Sequence, residues 1–389
     1  MDTIGGLFKD MQTPSSRKAD GVILLIVVSL CVFGIVMIWS ASMYNAKLND
    51  ELNYDEFYYA KRQTAFFLAG FAGMWFISLL DADKLKAYSF YFMLAILFML
   101  LITAWGVGME DVNGAIRSIR IGPIEIMPAE FAKIAVLFFM SYFMELVYRD
   151  RRSLRVFIIV MILCAVTFAV IYRQPALTTA AIITALMISI YFLGGGNVVL
   201  MVTAIVLAAP VAYFRLLKGS WRLERLDALA DPFSDVLDSG WQPANSIMAL
   251  GSGGLMGRGP GNSIAKLSFL PEPQNDYIFS IIGEELGFVG CIILTVVYLL
   301  LIIRLLQLSI RASSRFGALF TAGTAVLFSM QVALNIAVCT NLIPSTGVSL
   351  PFVSYGGSSL LSNMAIVGVV LNISRRQASV PSAAVTRKA

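Results

Sequence analysis

Long apolar runs recur along almost the whole chain and constrain its fold more than any other feature. A helix that crosses a bilayer needs about 20 consecutive, mainly apolar residues. Hydrophobic residues make up 58% of the 389 residues and charged residues only 14%, whereas a soluble domain is about 25% charged. Because a backbone in hydrocarbon must satisfy its own hydrogen bonds, these runs predict an all-α integral membrane protein.

Ten segments have the length and composition of a membrane-spanning helix. They are 21–42, 64–80, 86–107, 129–147, 155–172, 176–193, 197–216, 277–303, 316–339 and 350–373. A polar segment, 1–20, precedes them and a low-complexity tail, 377–389, follows them, so 21–376 is predicted to form one membrane domain. In the tenth segment only 360–373 is helical by composition, and a broken start is tolerated at depth only where it lines a cavity or is buried in protein.

The lysines and arginines of the short loops are unevenly divided between the two sides of the membrane. Sixteen lie on one side and six on the other, leaving out the long loop at 217–276. Cytoplasmic loops carry the excess of such residues, which predicts that both termini are cytoplasmic. The large 217–276 loop is then extracytoplasmic, where there is no ATP and chemistry must use an already activated substrate.

Several kinds of chemistry are excluded by composition. The chain has no histidine, which excludes a Ser-His triad, a His-ligated zinc and a histidine general base. The four cysteines lie inside apolar runs and are interpreted as small core residues. The net charge of +5 is explained by topology, so no nucleic-acid partner is expected. No metal site is predicted and no cofactor is certain, with a divalent cation left open.

The polar loop at 217–276 contains most of the residue types that can do chemistry. It ends at Asp276, directly before an apolar segment. This carboxylate has two interpretations: a general base that takes a proton from a hydroxyl, or an ordinary N-cap of the helix that follows. Glu272 is the next candidate for a base.

Charged residues also stand at the edges of the apolar segments. Glu130 and Lys133 are three residues apart and share a helix face. Ionisable groups at such a depth usually line a cavity or pair with each other, so either a site or a structural ion pair is indicated. Arg117 and Arg120 lie amid glycine turns and can clamp a phosphate. Arg62 belongs to a basic pair that flanks the first external loop.

Short motifs follow one another in a fixed order over roughly residues 20–375. They are Ser40-Ala41-Ser42, Asn113-Gly114-Ala115 with Arg117, Pro128-Ala129-Glu130 with Lys133, Asp231-Pro232-Phe233, Gly240-Trp241-Gln242 with Ser246, Leu270-Pro271-Glu272 leading to Asp276-Tyr277-Ile278-Phe279, Gly283-Glu284-Glu285-Leu286-Gly287, and Leu350-Pro351-Phe352-Val353-Ser354-Tyr355-Gly356-Gly357-Ser358-Ser359. In these motifs the chain resembles the SEDS family of bacterial cell-wall polymerases, the group of FtsW, RodA and SpoVE. It is most similar to the FtsW and SpoVE branch.

The resemblance implies a peptidoglycan glycosyltransferase in the bacterial cytoplasmic membrane. Its substrate would be lipid II, a disaccharide-pentapeptide on undecaprenyl pyrophosphate, polymerised on the outer side in division, cell-shape or sporulation wall synthesis. Its partner would be a class B penicillin-binding protein, a separate transpeptidase. Asp276 would be the general base, and Glu284 and Glu285 would support the site. The predicted substrate-binding residues are Arg62, Arg117, Glu130, Lys133, Lys266, Gln242, Ser246 and Glu272.

Two other functions stay open beside the enzyme. A lipid II flippase would also need many spans and intramembrane charges, but it would not need a large loop on one side ending in a carboxylate. A non-catalytic scaffold for the transpeptidase is the third alternative. This alternative is suggested by Ala176, because the family commonly has an aspartate at that position. Any function of that aspartate in the family cannot be assigned to this chain.

Overall fold

The computed structural model describes residues 19–80, 82–106, 118–121, 124–174, 176–216, 225, 227–235, 238, 240–267 and 269–376. Its regular structure is almost entirely helical within these ranges. The helices are α1 (Gly21–Leu48), α2 (Tyr58–Leu79), α3 (Ala82–Ala87), α4 (Ser89–Ala104), α5 (Pro128–Leu146), α6 (Leu154–Tyr172), α7 (Leu177–Leu193), α8 (Val198–Leu216), α9 (Trp241–Ser252), α10 (Ile278–Ile310), α11 (Arg315–Cys339) and α12 (Gly357–Arg375). A short antiparallel hairpin, β1 (Ile119–Ile121) and β2 (Ile124–Ile126), precedes α5.

Each of the ten predicted segments coincides over most of its length with one of these helices. Helices α1 and α10 continue beyond the predicted ends, and α2 begins earlier than predicted, at Tyr58. By length and hydropathy alone, five helices of the described chain can cross a membrane: α1, α6, α10, α11 and α12. The chain is therefore a helical membrane protein, as composition predicts.

Several helices begin where a side chain can satisfy their first N–H groups. The Asp20 carboxylate accepts from the N–H of Val22 at 3.0 Å and of Ile23 at 3.2 Å. Ser153 and Ser314 cap α6 and α11 in the same way. Such caps contribute about 1 kcal/mol each, and they fix the residue at which each helix enters the bundle.

Helices α2 and α12 pack in parallel along most of their length. A Cβ on Gly368 would lie 2.8 Å from a backbone carbonyl oxygen of α2, so the two backbones approach as closely as small residues allow. At one end Gln63 donates to the Ser354 carbonyl at 3.3 Å, and at the other Asn372 donates to the Ser78 carbonyl at 3.1 Å. Parallel packing places the starts of both helices at the same end of the bundle.

Polar contacts between distant parts of the chain gather at the two ends of the bundle. At one end Arg304 pairs with Asp20 at 2.9 Å and Lys86 pairs with Glu145 at 3.3 Å. These residues belong to loops or helix ends with the lysine and arginine excess. At the other end the 270–277 and 341–356 segments meet the starts of α2, α5 and α12.

The segment before α12 is non-helical and mostly buried, which confirms that this span has a broken start, although the helix begins at Gly357 and not at 360 as predicted. Phe352 is only 3% exposed and has a φ of 68°. The Tyr298 hydroxyl donates to the Pro351 carbonyl at 2.5 Å. A Cβ on Gly34 would lie 2.7 Å from the Phe352 carbonyl oxygen. Since Gly34 and Tyr298 lie well inside α1 and α10, this segment reaches into the bundle from the end where α12 begins.

Helix α10 is interrupted at Gly287, whose φ of 70° and ψ of −171° are not helical. The glycine-rich loop after α9 supplies the hydrogen bonds that the break removes. The four replacement bonds run from Phe288 N–H to the Gly254 carbonyl at 2.9 Å, Val289 N–H to Leu255 at 3.1 Å, Arg258 N–H to Glu284 at 2.9 Å, and Gly259 N–H to Glu285 at 3.0 Å. The break and the loop therefore satisfy each other's backbone groups.

The close approach of the loop to the break gives a testable prediction at Gly257. This residue has a φ of 79°, and a Cβ there would lie 2.2 Å from the Glu285 carbonyl oxygen. A Gly257→Ala variant is expected to lose about 1–3 kcal/mol of stability, measured as a lower melting temperature in detergent. Gly251→Ala is the matched control, because that glycine is helical with no atom within 4 Å of its Cβ position. Equal melting of both variants would contradict the described packing.

Candidate active site

Asp276 lies half-buried at the end of the bundle where α2 and α12 begin. Helix α10 begins at Ile278 with Tyr277 at the N-cap, and no side chain caps it there. Asp276 is therefore one residue ahead of the capping position, which does not favour the N-cap interpretation. Its carbonyl accepts from Asn335 Nδ2 at 2.9 Å and from Cys339 Sγ at 3.6 Å, so the backbone of this residue is fixed.

The Asp276 carboxylate faces the segment that follows α11. A Cβ built on Gly347, whose φ is 69°, would lie 3.5 Å from Asp276 Oδ2. The amide of Asn335 donates both to the Asp276 carbonyl and, at 2.8 Å, to the Val348 carbonyl. One buried amide thus holds the carboxylate's own backbone and the backbone opposite it.

Glu130 and Lys133 form the ion pair that their spacing predicts. Lys133 Nζ lies 2.5 Å from Glu130 Oε2, and the side chains are 2% and 18% exposed. An ammonium has three donors, and the described part of the chain gives Lys133 this one acceptor. Among the described residues, the other donors of this ammonium have no protein acceptor and can bind an anionic or polar ligand.

A serine at the start of α12 joins this pair to the Asp276 side of the bundle. Ser358 Oγ accepts from the Met127 N–H at 3.1 Å and donates to the Glu125 carbonyl at 3.1 Å. Its neighbour Ser359 lies 3.1 Å from Ser349, close along the chain to the backbone that faces Asp276. The carboxylate and the ion pair therefore lie at the same end of the bundle, where the 347–359 segment contacts Asp276 and the residues just before the pair.

Arg62 also lies at this end of the bundle. Its guanidinium donates to the Tyr58 hydroxyl at 2.9 Å. The guanidinium also lies over the Tyr58 ring, 5.6 Å from its centroid. Tyr59 packs edge-on against Tyr355 with ring centroids 5.1 Å apart. Arg62 thus lies beside an aromatic cluster that includes Tyr58, Tyr59 and Tyr355.

Three other predicted ligands have less defined surroundings. Glu272 is exposed with a φ of 44° and accepts from Asn275 Nδ2 at 2.6 Å. Gln242 is half-buried in the first turn of α9. Arg117 lies outside the described residues.

Lys266 and Ser246, both predicted to bind substrate, are buried and bonded to other groups of the protein. Lys266 is 2% exposed, and three protein acceptors surround its ammonium: Glu285 at 3.1 Å, Ser40 at 3.3 Å and the Gly261 carbonyl at 2.5 Å. All three donors are used, which leaves none for a substrate. Ser246 is fully buried and shares a 2.6 Å hydrogen bond with the Ser280 hydroxyl.

Two polar residues of this end were not singled out from the sequence. Asn335 lies in an apolar segment, and a polar side chain at that depth is itself a signal of function or of a required contact. Ser358 belongs to a motif, but its bonds to Met127 and Glu125 come from a part of the chain far away in sequence. Within the described residues, no group of three or more Cys, Asp or Glu comes together as a metal site.

The arrangement combines one half-buried carboxylate with a buried ammonium and a guanidinium at the same end of a membrane protein. A carboxylate can accept a proton from a hydroxyl. Cations can stabilise a leaving phosphate without a general acid. The site is therefore suited to transfer of a group from a phosphorylated donor to a hydroxyl.

Comparison with known proteins agrees with this chemistry. Residues 21–379 match the family model for the FtsW, RodA and SpoVE cell cycle proteins. The probable peptidoglycan glycosyltransferase FtsW of Trichlorobacter lovleyi is 35% identical, over 91% of this chain and 93% of the relative. The stage V sporulation protein E of Bacillus subtilis is 34% identical, over 93% of this chain and 99% of the relative.

Solved structures share the fold. A chain from a peptidoglycan synthase complex that coordinates polymerisation and crosslinking superposes with a TM-score of 0.75 at 24% identity, covering 92% of this chain and 98% of that chain. The rod shape determining protein RodA of Thermus thermophilus superposes with a TM-score of 0.67 at 23% identity, over 92% of this chain and 97% of that chain. This chain belongs to the FtsW, RodA and SpoVE family.

Proposed function

We propose that this protein is a peptidoglycan glycosyltransferase that polymerises lipid II and releases undecaprenyl pyrophosphate. The observation that supports this most is that Asp276 and the Glu130–Lys133 pair lie at one end of the bundle, where the 347–359 segment contacts Asp276 and the residues just before the pair. The FtsW relative of Trichlorobacter lovleyi is named a probable peptidoglycan glycosyltransferase. A half-buried base and a buried cation suit such a transfer.

In the proposed reaction the 4-hydroxyl of an acceptor GlcNAc attacks C1 of a donor MurNAc. The new C1–O4 bond forms as the bond from C1 to the pyrophosphate oxygen breaks. The hydroxyl proton passes to the Asp276 carboxylate. Three cations would neutralise the charge that develops on the pyrophosphate: Lys133, Arg62 and Arg117. Glu130 would hold Lys133 in place. Glu272 and Gln242 are proposed to contact the sugar or peptide of the substrate.

The proposed setting is the outer face of a bacterial cytoplasmic membrane, with ten crossings and both termini in the cytoplasm. The lysine and arginine bias supports this orientation. The parallel packing of α2 and α12 agrees with ten crossings, because the second and the tenth crossing must run in the same direction. The proposed partner is a class B penicillin-binding protein, a reading supported by the fold match to a chain of a synthase complex that couples polymerisation to crosslinking.

The base is tested by replacing Asp276 with asparagine. Because Tyr277 holds the N-cap position of α10, Asp276→Asn should leave the melting temperature unchanged. An amide cannot accept the hydroxyl proton, and a general base contributes about 10²–10⁴-fold. Glycan polymer formed from lipid II should therefore fall to about one per cent or less. Near-normal polymer from this variant would place the base elsewhere, with Glu272 as the next residue to test.

Lys133→Ala tests the buried cation. Loss of one such group should lower the polymerisation rate by about 10²-fold in protein that still inserts into the membrane. The matched control is Lys47→Ala, which removes an ammonium that is 57% exposed and pairs with Glu56 at 2.5 Å. The rates of both variants are compared at equal amounts of folded protein. Normal turnover by Lys133→Ala would make the pair purely structural.

The orientation is tested with single cysteines in protein lacking its four native ones. Ser234, exposed in the large loop, is replaced by cysteine, which should react with a membrane-impermeant maleimide in intact cells. Ser313, exposed between α10 and α11, should as cysteine react only after lysis. The reverse pattern would overturn the proposed topology.

A further inference from the structure

The buried ammonium of Lys266 forms a joint between the large loop, α1 and α10. It donates to Glu285 Oε1 at 3.1 Å, to Ser40 Oγ at 3.3 Å and to the Gly261 carbonyl at 2.5 Å. Ser40 Oγ in turn donates to Glu285 Oε1 at 2.6 Å. Lys266 is 2% exposed and Glu285 is fully buried. The joint is therefore closed to solvent and to any substrate.

Lys266 and Glu285 are the two ends of the chain segment that contains Asp276. Lys266 lies in the loop before it, Glu285 lies two turns into the helix after it, and Asp276 is near the middle of this stretch. When Lys266 and Glu285 are bonded to each other, the segment between them has far fewer conformations. The position of the Asp276 carboxylate therefore depends on this joint.

The neighbouring carboxylate strengthens the same attachment. Glu284 accepts from the Ile264 N–H at 3.0 Å, the Ala265 N–H at 3.1 Å and the Ser263 hydroxyl at 2.5 Å. It binds through neutral donors, with Arg258 Nε 3.7 Å away. Two adjacent carboxylates of α10 thus hold one loop, but only the Glu285 bond joins two fully buried charges.

Charge neutrality decides how well the joint holds. A buried ion pair contributes little net stability, but removing one partner leaves an uncompensated buried charge that is strongly unfavourable. Apolar residues in both positions are tolerated much better. Loss of Lys266 alone should therefore displace the loop at Glu285, whereas loss of both charges should let the loop return.

We propose that Lys266 and Glu285 are positioning residues that set the place of the Asp276 carboxylate, and that Lys266 does not touch the substrate. This inference rests on the proposed lipid II polymerase activity. A displacement of about 1 Å at a reacting group costs on the order of 10²-fold in rate. The joint is thus expected to act on kcat while the KM for lipid II stays constant.

The experiment measures kcat and KM for lipid II in purified full-length protein, at a temperature below the melting point of every variant. Lys266→Met is expected to lower kcat by about 10²-fold with little change in KM. The double variant Lys266→Met with Glu285→Met is expected to recover most of the lost kcat, because neither buried charge remains. Lys47→Met is the control, since it breaks an exposed pair with Glu56 and should leave kcat unchanged.

The outcomes distinguish a positioning role of Lys266 from direct binding of the substrate by its ammonium. A raised KM in Lys266→Met, or a folded double variant that stays inactive, would show that the ammonium itself is needed and would overturn the proposal. If Lys266→Met fails to fold, recovery of both melting temperature and kcat in the double variant still supports it. Wild-type protein and Asp276→Asn are assayed alongside, so failure of the polymerase assignment shows as no wild-type polymer.

Discussion

The structure depends on the need to satisfy every backbone polar group where water is scarce. The need is greatest where a helix is interrupted, at the break at Gly287 in α10 and in the buried segment before α12. At the first, the glycine-rich loop exchanges four hydrogen bonds with the broken helix. At the second, the side chains of Tyr298 and Gln63 donate to backbone carbonyls of the non-helical segment. Irregular backbone survives inside the bundle because protein groups take the place of water.

These two interruptions also hold the candidate site. Asp276 lies just before the helix that breaks at Gly287, and its carboxylate faces the segment that leads into α12. Asn335 bonds the backbone of both. A group held from two sides keeps its place without being part of a regular element. This is how a carboxylate in a long loop can have the precision that general-base chemistry requires.

The sequence predicts what local patterns determine. Apolar length located a helix in all ten segments, and the Pro/Gly-broken start of α12 was predicted from residues that cannot continue a helix. The Glu130–Lys133 pair follows from a spacing of three on one helix. The surroundings of Lys266 could not be predicted in this way. A lysine in a polar loop is expected to be exposed, and only the packing of that loop against Ser40 and Glu285 buries it.

The two buried lysines show how burial alone fails to identify a ligand-binding cation. Both are 2% exposed and both lie beside a carboxylate. An ammonium has three donors, and Lys266 has three protein acceptors, whereas Lys133 has one in the described part of the chain. A saturated ammonium holds the fold, and a partly used one retains attraction for an incoming anion. Donor use, more than depth, therefore separates the cation suited to a pyrophosphate from the one suited to a joint.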